Sequence, residues 1–181
     1  MFIADKLRKE NIVGYLLYMW QMEDTLRVYG CDMGRLRREY IPRFTQLTDE
    51  QVEEEELWLT NLIRMMNKEG VRETGHLQIN RVTLQQLVEL NQRLLDSSEY
   101  PFYSAEYFRV LPYIVELRKR GAAKDESEVE TCLNAVYGVT LLKMQGKTLS
   151  PDTVHAVKMI STFLGMLNDY YQKDKKEGLK F

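Results

Sequence analysis

The stretch "NIVGYLLYMWQMED", Asn11 to Asp24, is the most apolar in the chain and lies close to its start. It can be read as a membrane span, an export signal or a core helix. From Ile12 to Met22 no residue is charged, yet these eleven residues rise only about 16 Å as a helix. A bilayer core of about 30 Å needs roughly 20 such residues. Glu23, Asp24 and Arg27 close the run at once, which excludes a spanning helix. The signal reading has Lys6, Arg8 and Lys9 ahead of the run and "VYGC" at Val28–Cys31 behind it, the outline of a lipid-attachment box. Against it, Asp5 and Glu10 dilute the basic segment, and Tyr29 is bulky where processing signals want small residues. The core reading accommodates everything. Ile12, Leu16, Met19 and Leu26 share one helical face, and Val13, Leu17, Trp20 and Val28 share the next. A helix apolar over so wide an arc is expected at the centre of a bundle.

Composition points the same way. Leu, Met, Glu, Gln, Lys and Arg dominate, prolines number four and glycines ten, and β-branched residues form no alternating runs. The expectation is an all-α, single-domain bundle of six to seven helices around that N-terminal helix, covering 1–181 with a charged tail from about 173. A length of 181 residues is enough for a core without disulfides or metals. The net charge of −2 argues against nucleic acid or an anionic membrane as partner. Two cysteines, Cys31 and Cys132, suit buried thiols in a reducing cytoplasm better than a disulfide framework.

Punctuation divides the chain into helices. The first is expected from Ala4 to Tyr29, closed by Gly30. A short one starts near Asp32 and is interrupted at Pro42. "TDEQ" at Thr48–Gln51 is a capping box opening a helix that ends near Gly70. A fourth helix carries Leu84, Leu87, Leu90 and Leu94 and stops at Ser97–Ser98. "SAEY" opens a fifth at Ser104, kinked by Pro112 and ended by "RKRG" at Gly121. "SEVE" at Ser127 opens a sixth, and "SPDT" at Ser150 a seventh, with a cap, a proline at the first helical position and an acid.

Motifs that carry chemistry are sparse. Gly-rich phosphate loops and a GxSxG elbow are absent, and the two histidines, His76 and His155, lie far in sequence from either cysteine. Glu73/His76 and Asp152/His155 have the i, i+3 spacing of dimetal carboxylate bundles. Gly75 weakens a helix at the first pair, and Asp152 suits a helix dipole. No lone glutamate is read in the apolar stripes of two other helices, so no metal or cofactor is expected. Glu53 to Glu56 point in four directions on a helix and are read as a solvated first turn. "GRLRREYIPRF" at Gly34–Phe44 mixes arginines with aromatics, but residues 1–44 carry a net charge of only +2 and residues 45–70 carry −5. That is a poor footprint for nucleic acid, which is not an expected partner. Gly14, Gly138 and Gly165 interrupt apolar helical runs, and close helix approach is the expected reason.

"GHLQIN" at Gly75–Asn80 sets His76, Gln78 and Asn80 between Leu77 and Ile79, neutral donors and acceptors at the mouth of a helix. With Trp20 and Tyr113 they form the candidate ligand or interface set; no catalytic residue is assigned.

Several stretches resemble a family of uncharacterised bacterial proteins of about 180 residues. They are "RKENI" with "YLLYMWQMED", "GHLQIN", "LPYIVELR" at Leu111–Arg118 and "EVETCLNAVYG" at Glu128–Gly138. The resemblance spans nearly the whole chain and implies a bacterial, cytoplasmic, all-helical protein of unknown function. It brings no activity and no site residues. Eleven tyrosines, nine methionines and two tryptophans supply interface-forming side chains. The expected function is therefore a non-enzymatic module that binds a protein partner or itself as a homodimer. The alternative is a small-molecule-binding helical domain with a pocket near the N-terminal helix and the Gly75–Asn80 segment.

Overall fold

Local rules set most helix ends. The computed structural model describes residues 1–119 and 126–181. Among them are eight α-helices, a 3-10 turn and no strand. The helices are α1 (Phe2–Glu10), α2 (Ile12–Val28), α3 (Met33–Glu39), α4 (Asp49–Glu69), α5 (Gln78–Asp96), α6 (Pro101–Lys119), α7 (Glu128–Met144) and α8 (Pro151–Glu177). The protein is all-α, as its composition requires, with slightly more helices than expected. Thr48 and Gln51 close the capping box at α4, and Asp32, Ser127 and Ser150 each accept a backbone N–H at the start of their helices. Gly70 ends α4 in the left-handed region at φ 71°.

Two boundaries differ from the sequence reading. The first expected helix is two, because Asn11 leaves the helical region and its side chain accepts from Gly14 N–H at 2.8 Å. Glycine suits position 14: an added Cβ would lie 3.0 Å from the Asn11 amide carbon and 3.2 Å from Leu7 Cδ2 of α1, so it serves both the cap and the close approach of the two helices. α6 begins at Pro101, three residues before Ser104, since proline's fixed φ suits the first helical position. The expected end of α6 at Gly121 lies outside the described residues.

By its contacts the chain divides into two compact units, Met1–Val82 and Thr83–Phe181, the division falling within α5. In the first, α2 is buried over most of its circumference: Ile12, Tyr15, Leu16, Met19, Trp20, Met22 and Leu26 are all inaccessible. The apolar opening stretch is core. No helix among the described residues is long and apolar enough to cross a membrane. In the second unit α6, α7 and α8 pack on one another. Tyr103 lies at their centre, in ring contact with Phe163 and Tyr170 and donating to Asn91 Oδ1 at 2.6 Å. Cys31 and Cys132 are free and buried. Burial pushes the Cys132 thiol up to about 12.

A Cβ at Gly138 or Gly165 would meet no described atom within 4 Å. Close helix approach is not their reason, and nothing in the structure explains them.

Candidate functional site

α2 presents Trp20, Glu23 and Arg27 at intervals of three and four, so the three side chains lie along one side of the helix. Arg27 donates to Asp24 at 2.7 Å, to the Val71 carbonyl at 3.0 Å and to the Gly75 carbonyl. This grip fixes the turn between α4 and α5, whose Gly75 stands at φ 85°. The chain then delivers His76, Leu77 and Asn80 to Glu23.

Glu23 has no exposed surface, and its carboxylate is fully engaged. Oε1 accepts from Leu77 N–H at 2.8 Å and from Asn80 Nδ2 at 2.7 Å, while Oε2 faces His76 Nδ1 at 2.6 Å. A carboxylate offers only acceptors, so the proton in this contact is carried by Nδ1. The imidazole stacks on Trp20, with ring centroids 4.5 Å apart and planes inclined by 19°. A partner on one nitrogen and a ring on one face leave it little freedom, though 30% of the side chain is exposed.

The buried charge has a structural use. Leu77 immediately precedes α5 and Gln78 is its first residue, positions where backbone N–H groups have no intrahelical acceptor. Glu23 takes the Leu77 N–H, and Glu69 from α4 takes the Gln78 N–H at 2.6 Å. Two glutamates from other helices thus cap α5, and their charge opposes the positive end of its dipole. Asn80 Oδ1 is buried and accepts nothing from the described residues.

Of the residues singled out in the sequence, Trp20, His76 and Asn80 meet around Glu23. Gln78 contributes its backbone and is exposed. Tyr113 belongs to the second unit. There it lines a cleft of about 240 Å³ between α6, α7 and α8 and meets His155 edge-on, centroids 6.1 Å apart.

Glu23 itself was not among the candidates, and the reading that no lone glutamate stands in an apolar stripe is corrected twice. Leu16, Met19, Glu23 and Leu26 share a buried face of α2, and Glu55 occupies the stripe of Leu59, Leu62 and Met66 on α4. Helical spacing alone could have found both. Glu55 is buried and binds the Met1 ammonium at 2.5 Å, so the acidic quartet is not a uniformly solvated turn. Glu56 reaches Arg37 at 2.7 Å, and of the four only Glu53 and Glu54 are exposed. Arg35 is likewise engaged, with Glu39 and over the Tyr29 ring. Among the described residues no three His, Cys, Asp or Glu side chains converge as a metal site would require.

A half-buried histidine held by a buried carboxylate inside an all-helical fold defines a helical protein whose polar cluster reaches into its core. The chain belongs to the family described as a domain of unknown function, DUF4924, whose model matches residues 1–178. Neither the curated proteins nor the solved structures gave a match.

Proposed function

We propose that this protein is a non-enzymatic helical module that self-associates through α6. One observation carries the reading: the outward face of α6 is apolar. Phe102 is 81% exposed and Phe108 64%, with Val115 also exposed. Ala105 and Pro112, exposed as well, continue the same stripe at intervals of three and four. Scattered apolar residues on a surface are ordinary, but an aligned stripe holding two phenylalanines is the mark of a contact surface.

The stripe is complementary to itself. Two copies of α6 laid antiparallel and centred near Phe108 would set Phe102 against Val115 and Ala105 against Pro112, as a two-fold interface requires. Arg109, Glu116 and Lys119 edge the stripe with charges of both signs, so like charges need not face each other. The helix is 19 residues long. Its face, about 28 Å by 10 Å, falls below the roughly 800 Å² per partner of a standard interface. A contact of that size fits a weak, transient association. We take the module to work in the cytoplasm, where free buried thiols such as Cys31 and Cys132 persist.

Sedimentation velocity across a concentration series tests this. The expected result is a monomer–dimer equilibrium that Phe102→Glu with Phe108→Glu shifts to monomer, with helical content and melting temperature retained because both side chains are exposed. A wild-type chain that stays monomeric at hundreds of micromolar, or a dimer that ignores the double substitution, overturns it.

A further inference from the structure

We propose that two copies of this chain exchange their Phe102 rings, each ring entering the cleft between α6, α7 and α8 of the other copy. The inference rests on the α6 self-association proposed above and names what completes that contact. Register brings ring and cleft together. In the antiparallel pair Phe102 comes level with the partner's Val115, midway between Tyr113 and Leu117, two of the α6 residues that line the cleft. At about 100° per residue, Tyr113 lies only about 20° and Leu117 about 60° from Phe102 around the helix. The two-fold axis keeps this flank on the same side of both helices, so each ring is carried towards the partner's cleft.

Size, lining and area fit that occupant. The cleft holds about 240 Å³, and a dry cavity of roughly 150 Å³ takes up benzene, so a phenylalanine ring has room. Leu117, Val139, Val157 and Ile160 offer it an apolar wall, and Tyr113 an aromatic neighbour. Glu116 and Asp152 also line the cleft but are exposed, so a ring on the apolar wall need not bury their charge. Among the described residues Phe102 is the most exposed large apolar side chain. The α6 stripe alone falls short of a standard interface, and the exchange supplies area. A phenylalanine buries about 150 Å² and covers a comparable wall, so two exchanged rings roughly double the face of each partner.

Contact along the stripe alone would make the central Phe108 the dominant residue. With exchange, Phe102→Ala should weaken dimerisation at least about tenfold in sedimentation equilibrium, and Phe108→Ala by less. Ala156→Leu, which fills part of the cleft, should weaken the dimer about as much as Phe102→Ala does. In the Phe102→Ala background it should add nothing, because both substitutions act on one contact. A second measurement needs no variant and decides the matter where Ala156→Leu does not fold. In a dimeric sample mixing isotope-labelled and unlabelled chains, filtered NOEs should link the Phe102 ring of one copy to the Val139 and Val157 methyls of the other. A dimer without those NOEs, or an Ala156→Leu effect that is absent or simply adds to that of Phe102→Ala, overturns the exchange and leaves the α6 reading standing. A chain that stays monomeric at hundreds of micromolar overturns both.

Discussion

The Glu23 cluster and the outer face of α6 invert the usual distribution of side chains in opposite senses. In the first unit a carboxylate with no accessible surface lies in the core; in the second, two phenylalanines stand in water. The buried charge is saturated by an imidazole, an amide side chain and a backbone N–H. Such an arrangement spends its interactions inside the protein and specifies where α5 begins. Of the exposed rings, Phe108 meets the neighbouring Tyr107 edge-on at 5.5 Å, and both Phe102 and Phe108 remain mostly accessible. A polar group well inside and fully partnered reports architecture, whereas apolar surface left outside reports contact with something else. The His76 cluster, which drew attention in the sequence, is on this comparison a fastener, and α6, which drew little, carries the surface proposed for self-association.

Four substitutions and one reaction break or sharpen that contrast. Glu23→Ala should cost the most, about 3–5 kcal/mol in urea unfolding, because two buried donors and the half-buried His76 lose their acceptor together. A loss below about 1 kcal/mol would show that the cluster does not hold the fold and would reopen a binding role for His76. In the second unit Tyr103→Phe removes a single buried hydrogen bond to Asn91 and should cost about 1–2 kcal/mol by the same measurement. An unchanged midpoint would mean water replaces the hydroxyl. Gly138→Ala and Gly165→Ala should each stabilise by about 0.5–1 kcal/mol, since alanine favours a helix and open space receives the methyl. Destabilisation at either would reveal an approach to that glycine from a partner chain.

Thiol chemistry gives the smallest signal. Cys132 keeps its proton to about 12 in the folded chain, against an ordinary value near 9. The native state therefore binds the proton more tightly than the unfolded state, and the stability tied to this thiol declines as pH rises above about 9. At pH 8 a disulfide reagent should find neither cysteine until denaturant is added, and then both. Rapid labelling of the native protein would contradict the burial of Cys31 and Cys132.

How much the residues disclosed depended on the range of the interaction. The α4 cap at Thr48, the α8 start at Ser150 and Pro151, and the Gly70 stop are settled within four residues of chain, and each was readable. The break at Asn11 was obscured because apolar periodicity runs straight through it, although Gly14 three residues on is a signature of the tight cap. Trp20, His76 and Asn80 were legible as polar and aromatic oddities. Their convergence was not, because Glu23 joins groups 53 to 57 residues away. The charge of Glu23 was read as the end of an apolar run, when its position three residues beyond Trp20 continues the buried face. The stripe on α6 was hidden for a related reason: a sequence records that Phe102 and Phe108 are apolar, and only the packing of the other face decides that these stay outside.

The two borrowed carboxylates at the head of α5 have a consequence for how the chain acquires its shape. A helix whose first N–H groups are satisfied by its own cap residue can begin unaided, but Leu77 and Gln78 have to wait for acceptors carried in by α2 and α4. A peptide of residues 76–96 in isolation should therefore fray over Leu77–Asn80. In the whole protein that opening turn should be among the later pieces to lock, protected from hydrogen exchange only after its distant glutamates have arrived.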